Sequence, residues 1–137
     1  MTKYLAAYAG TAVVMVALDM LWLGLIAKTM YQQGIGHLMA DTPNVPVAVM
    51  FYAVYALGLV VFAVAPQTGG SAWGKTLTVA ALFGFFAYAT YDLTNLATLR
   101  GWPMGLSLLD IAWGVCVSTL SAAGGKVAMD WAVTRSS

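Results

Sequence analysis

"YDLTNLATLRGWP", residues 91–103, closes a hydrophobic stretch that begins near Thr76 and sets an aspartate, an asparagine and two threonines inside it. What a carboxylate does about two helical turns below the end of an apolar run depends on the solvent around that run. Composition decides the solvent. The 137-residue chain is 61% hydrophobic and 8% charged, with a mean hydropathy of +0.82. That is too little charge to clothe a soluble sphere of this size, so the chain belongs in a bilayer.

Working outward, four long apolar stretches appear: about Tyr4 to Ala27, Val47 to Ala65, Thr76 to Leu99 and Leu106 to Val127. Each approaches or exceeds the roughly 20 residues that carry a helix across ~30 Å of hydrocarbon. A transmembrane barrel needs alternating segments of about 10 residues, and these runs do not alternate. The expected fold is an all-α integral membrane protein, a compact bundle of four transmembrane helices with short loops, making a single domain over residues 1–137. The first run is too long for a secretory signal, is interrupted by Asp19 and lacks a small-residue cleavage site, so it is expected to be retained. The long loop, Lys28 to Pro46, spaces Met30, Tyr31, Ile35, Leu38 and Met39 in a partly helical pattern before its "DTPNVP" turn. This suggests a short interfacial helix, either a lid over one end of the bundle or a tether on the headgroups.

No glycine-rich nucleotide loop or basic nucleic-acid patch is present, and Cys116 is alone, which rules out a disulfide framework and a cysteine metal site. Lys3, Lys75, Lys126 and Arg135 flank one side, against Lys28 and Arg100 on the other. That bias favours both termini in the cytoplasm and makes the long-loop side the outer one.

Depth turns the scattered polar residues into a candidate site. Asp19 lies nine residues before Lys28, Asp92 eight before Arg100 and Asp110 seven after Pro103. At ~1.5 Å per residue all three sit roughly 10–13 Å inside the long-loop end. Tyr52 and Tyr55 enter the same layer on the second span. On the third span Tyr88, Asp92, Asn95 and Leu99 form one stripe that should face the bundle interior. "LDMLWLG" and "LDIAWGV" each place a tryptophan, Trp22 and Trp113, one turn after its aspartate. Because the two helices run oppositely, the rings are expected to floor and roof a polar pocket. The short match is too weak to indicate a duplicated domain.

"FYAVYALGLVVFAV", "AYATYDLTNLATLRGWP", "LLDIAWGVCVS" and "LDMLWLG" together resemble the bacterial integral membrane family domain of unknown function 2177 (DUF2177), over nearly the whole chain. The resemblance implies a compact four-helix protein of the bacterial inner membrane. It carries no activity, cofactor or catalytic residue with it.

A charged aspartate at the centre of a span costs about 2.5–3.5 kcal/mol on insertion scales, so such residues usually face the interior and mark ion, proton or substrate sites. Three in one layer exceed what packing needs, and a shared proton or a bound cation would relieve their repulsion. Plainer readings stand beside this one. Asp92 and Asn95 can be interhelical glue, Asp110 can favour the positive end of its helix dipole, and the tryptophans can be belt residues. Tyr52 and Tyr55 can simply pack, Trp73 and Trp102 read as interface anchors, Arg100 as a snorkelling end residue, and His37 as a loop residue without a metal. Small residues at Ala6 and Gly10, Ala80 and Gly84, and Gly114 and Ser118 suit close helix approach within a bundle or a homo-oligomer.

The expected function is binding or transport of a proton, a cation or a small cationic ligand among membrane lipids. Its candidate site comprises Asp19, Trp22, Tyr52, Tyr55, Tyr88, Asp92, Asn95, Asp110 and Trp113. The alternatives are a structural or accessory subunit of a larger membrane complex and a lipid-modifying enzyme. The last is the weakest, because no activated nucleophile, histidine base or metal-ligand set accompanies the carboxylates.

Overall fold

A computed structural model describes residues 1–67 and 72–136 of the chain, and every described element is helical. Four helices are long and apolar enough to cross a membrane: α1 (Thr2–Ile26), α3 (Val45–Val64), α4 (Trp73–Thr98) and α5 (Met104–Ser136). Between the first two of these lies the short helix α2 (Lys28–Ile35), followed by a single 3₁₀ turn over Gly36–Leu38. The expected all-helical, four-span membrane fold is thus observed.

Local chemistry sets the ends. Asn44 accepts a hydrogen bond from the Val47 amide at 3.3 Å and caps α3, with Pro46 in the first turn where its missing N–H costs nothing. Between α4 and α5 the chain reverses at Gly101, whose φ of +72° a side chain would oppose. Pro103 then precedes the first turn of α5. The last turns of α1 (Trp22–Ile26) and α3 (Val60–Val64) widen into π-helix, an irregularity often found at functional sites. Helix α5 outruns its apolar stretch, which ends near Val127. Nothing breaks the helix there: Lys126 and Asp130 neutralise each other at i, i+4 with 3.0 Å between charged atoms, while Met129 and Ala132 remain buried.

Helix α5 is the spine of the bundle and packs along both α1 and α4. In a bilayer the lipid is as apolar as the helices, so association rests on close van der Waals contact, which small residues permit. A Cβ on Gly10 would sit 2.7 Å from the Gly124 carbonyl oxygen, and one on Gly125 would sit 2.8 Å from that of Ala7. Across the α4–α5 seam, a Cβ on Gly84 would come within 2.8 Å of the Ser118 Cβ. Gly10, Gly84, Gly114 and Ser118 therefore serve contacts within the chain.

Helix α3 is attached less evenly. It packs on α1, but its backbone approaches α4 and α5 chiefly through its last turn, Val60–Val64. Towards the long-loop end it leans away from α4, and aromatic rings bridge the gap: Tyr55 meets Phe83 and Tyr88 edge-on at 5.2 and 6.0 Å between centroids.

One residue counted from sequence as a flanking surface charge is enclosed. Lys126 is fully buried, its Nζ donating to the Gln67 carbonyl at 2.8 Å and to Asp130 at 3.0 Å. It also lies 5.3 Å from the centroid of the Trp73 ring, so Trp73 packs on a buried cation. Sequence placed Lys126 at a helix end, where Lys ordinarily meets headgroups; the helix extension carries α5 past that level and encloses it.

Candidate functional site

At the long-loop end the splayed helices leave a cavity of about 460 Å³, a volume in the usual range for small-molecule sites of ~300–1,000 Å³. Asp19, Trp22 and Leu23 reach it from α1, Phe51, Tyr52 and Tyr55 from α3, and Ala87, Tyr88, Tyr91 and Asp92 from α4. Leu106, Asp110 and Trp113 complete the wall from α5, with Tyr31 from α2 and Trp102 from the α4–α5 turn. Glycine makes room for one of these rings: a Cβ on Gly114 would clash with Tyr88 Cγ.

The three aspartates are buried, with exposures of 5% for Asp19, 1% for Asp92 and 8% for Asp110. They are satisfied to different degrees. Asp19 accepts from Trp113 Nε1 at 2.9 Å on Oδ1 and from the Tyr52 hydroxyl at 2.8 Å on Oδ2. Asp110 accepts a short hydrogen bond from the Tyr31 hydroxyl, which itself accepts from Trp22 Nε1 at 3.1 Å. Asp92 lies within hydrogen-bonding reach of the Asp110 carboxyl, and its Oδ2 is buried with no hydrogen-bond partner. Among the described lining residues there is no Lys, Arg or His. Arg100 is exposed and stays outside the lining.

Trp22 and Trp113 stack face to face, 4.5 Å apart and 3° from parallel. They do not floor and roof the pocket, as Cα depths alone suggested. Side chains on a helix lean back toward its N-terminus. On antiparallel α1 and α5, two tryptophans that each follow their aspartate by one turn therefore lean to the same level and meet. Each indole then serves the carboxylate of the opposite helix, directly for Asp19 and through Tyr31 for Asp110.

Helix α2 lies over this end. Gly34 packs against the α4–α5 turn so closely that a Cβ would sit 3.0 Å from Pro103 Cγ and 3.1 Å from Leu106 Cδ2. Tyr31 hangs from this helix into the cavity. Burial, and then its hydrogen bond to Asp110, push the Tyr31 phenol above the ordinary tyrosine range, which keeps it protonated and donating.

Residues 4–127 of the chain match the family model described as a predicted membrane protein, DUF2177. The chain belongs to this family. Comparison with curated proteins and with solved structures returned no match. DUF2177 membership supports the membrane setting, and any chemistry must be argued from the cavity itself.

In this DUF2177 member, every candidate residue read from the sequence lines the cavity except Asn95, which is half-buried about one turn beyond Asp92, towards the end of α4. Leu99, assigned to the same stripe, follows the last helical residue, Thr98, and is exposed. Trp102, read as an interface anchor, sits in the turn between α4 and α5 and also lines the cavity: its Nε1 donates to Ser107 Oγ at 2.9 Å, and its ring meets Tyr91 edge-on at 5.9 Å. Sequence reading missed Tyr31, Phe51, Tyr91 and Trp102 as wall residues. The helical spacing around Tyr31 signalled α2 but not where the phenol points, which depends on how α2 settles on the α4–α5 turn. Among the described residues no group of three His, Cys, Asp or Glu side chains is placed to hold a metal ion. The described lining also contains no Ser, Thr, Cys, Lys or His to act as a nucleophile or base.

Proposed function

We propose that this chain is a binding protein of the bacterial inner membrane, with both termini in the cytoplasm, whose cavity receives a cation, and an organic ammonium in preference to a metal ion. One observation carries the reading: three buried carboxylates share an aromatic cavity in which the described lining offers no basic residue, and one of them, Asp92, has an unpartnered oxygen. Charge buried in a span without a partner is costly, and a bound cation supplies the missing partner. The aromatic walls suit an ammonium, which gains from ring faces as well as from carboxylates. The three acids are not gathered tightly enough to cage a metal. For orientation, Lys3, Lys75 and Arg135 remain at the end with the termini, against Lys28 and Arg100 at the other.

The second reading, an accessory subunit whose polar groups lock the bundle, draws on the bonds that hold Asp19 and Asp110. It uses Asp92 through its contact with Asp110 but leaves the buried Asp92 Oδ2 without a partner.

Trp22 and Trp113 provide an intrinsic reporter. In detergent-purified protein, tetramethylammonium chloride should shift tryptophan fluorescence saturably beyond sodium chloride of equal ionic strength, and Asp92→Asn should lose that response while remaining helical. An equal response in the variant would remove Asp92 from the site.

A further inference from the structure

Resting on the cation-site reading above, we infer that the ammonium is lipid-borne: an amine headgroup carrying an alkyl or acyl chain, which enters from within the bilayer between α3 and α4 and leaves its chain there. The two possible entrances of the cavity differ. Toward water it is covered by α2 and the α4–α5 turn. Helix α2 rests on Pro103 and Leu106 through Gly34, which has no side chain to hold them apart. Tyr31 is tied to both Trp22 and Asp110, and Trp102 is pinned by Ser107.

Toward lipid the cavity reaches the surface of the bundle. Leu23 of α1 is exposed at 47%, and on the next two spans Phe51 of α3 and Tyr91 of α4 face outward at 47% and 55%. Helices α3 and α4 approach each other chiefly where the last turn of α3 meets α4, far below this level. The base of the cleft is closed by Gly58 against Phe83, where a Cβ would sit 2.7 Å from the ring. The opening therefore lies between α3 and α4 and admits a molecule sideways.

Polarity along this route fits an amphiphile. Phe51, Ala87 and the Tyr91 ring border the entrance, whereas the carboxylates of Asp92 and Asp110 are buried within. A hydrated metal ion would have to shed its water to pass an aromatic mouth. An alkylammonium already held at the interface presents its charge to the acids while its chain stays in hydrocarbon. Such a chain adds binding energy in proportion to the methylenes kept from water.

The test uses full-length protein in nanodiscs and tryptophan fluorescence, titrated with tetramethylammonium, octyltrimethylammonium and dodecyltrimethylammonium chlorides. Responses are referred to the free aqueous concentration, and Asp92→Asn discs serve as blank. In wild type, affinity is expected to climb by up to about fourfold per added methylene. Ala87→Phe, which narrows the mouth, should erase most of that gain, read as the ratio of dodecyltrimethylammonium to tetramethylammonium affinity in the same variant; Ala87→Leu is the milder plug. Equal affinity across the wild-type series overturns the lipid-borne route and leaves the cation site standing, and so does an undiminished chain-length gain in a folded plug variant. No Asp92-dependent response to any of the three ammonium salts overturns both readings together.

Discussion

The two ends of the bundle bury charge in opposite ways. At the end with the termini, backbones nearly touch through Gly10, Gly124 and Gly125, and the fully buried Lys126 meets Asp130, the Gln67 carbonyl and the Trp73 ring. At the long-loop end, aromatic rings hold the helices apart and three aspartates face one another without a basic residue in the described lining. Burial of an ionisable group therefore does not by itself mark a site. What separates a lock from a receptor is whether the chain provides the counter-charge, and here it does so at one end only.

The comparison can be broken most forcefully at the tight seams between helices. Gly84→Leu inserts a side chain where even a Cβ meets Ser118, and overpacking of this kind costs about 3 kcal/mol. Thermal unfolding in detergent should show the largest loss of the series, and a stability near wild type would mean that the α4–α5 seam is not closely packed. Lys126→Met comes next, at about 2 kcal/mol, below the full cost of splitting a buried ion pair because Asp130 is 30% exposed. Adding Asp130→Asn should recover part of the loss, and no recovery would argue that Lys126 acts through Gln67 and Trp73 instead.

At the cavity the effects are smaller and carry a pH signature. Tyr31→Phe deletes the hydrogen bond to Asp110 and should cost about 1.5 kcal/mol at neutral pH. Because the native phenol binds its proton more tightly than the unfolded one, its contribution is whole below the unfolded value of about 10 and is lost as pH rises beyond it. The wild-type advantage over Tyr31→Phe should accordingly shrink in alkaline titration; a constant advantage would mean that the phenol is not held by Asp110.

Much of this was legible before any coordinates. Long apolar runs announce spans, and loop lengths state which helix ends meet, so Asp19, Asp92 and Asp110 could be put in one layer by counting from Lys28, Arg100 and Pro103. Facing was harder. Cα depth separated Trp22 from Trp113, whereas side-chain lean brings them into a stack. Hydropathy ended the last span near Val127, because it scores Lys126 as a surface charge and is blind to the carbonyl, carboxylate and ring that receive it. Tyr31 and Trp102 lie outside the spans altogether, and their place in the wall follows from α2 and the Gly101 turn closing on each other.

The direct test of the central claim is native mass spectrometry of the full-length protein released from mild detergent, wild type beside Asp92→Asn, with tetramethylammonium added to both. Wild type should carry one ammonium adduct that survives gentle activation, and the folded variant should carry none. Equal adducts on both proteins, or none on either, would contradict a cation receptor built around Asp92.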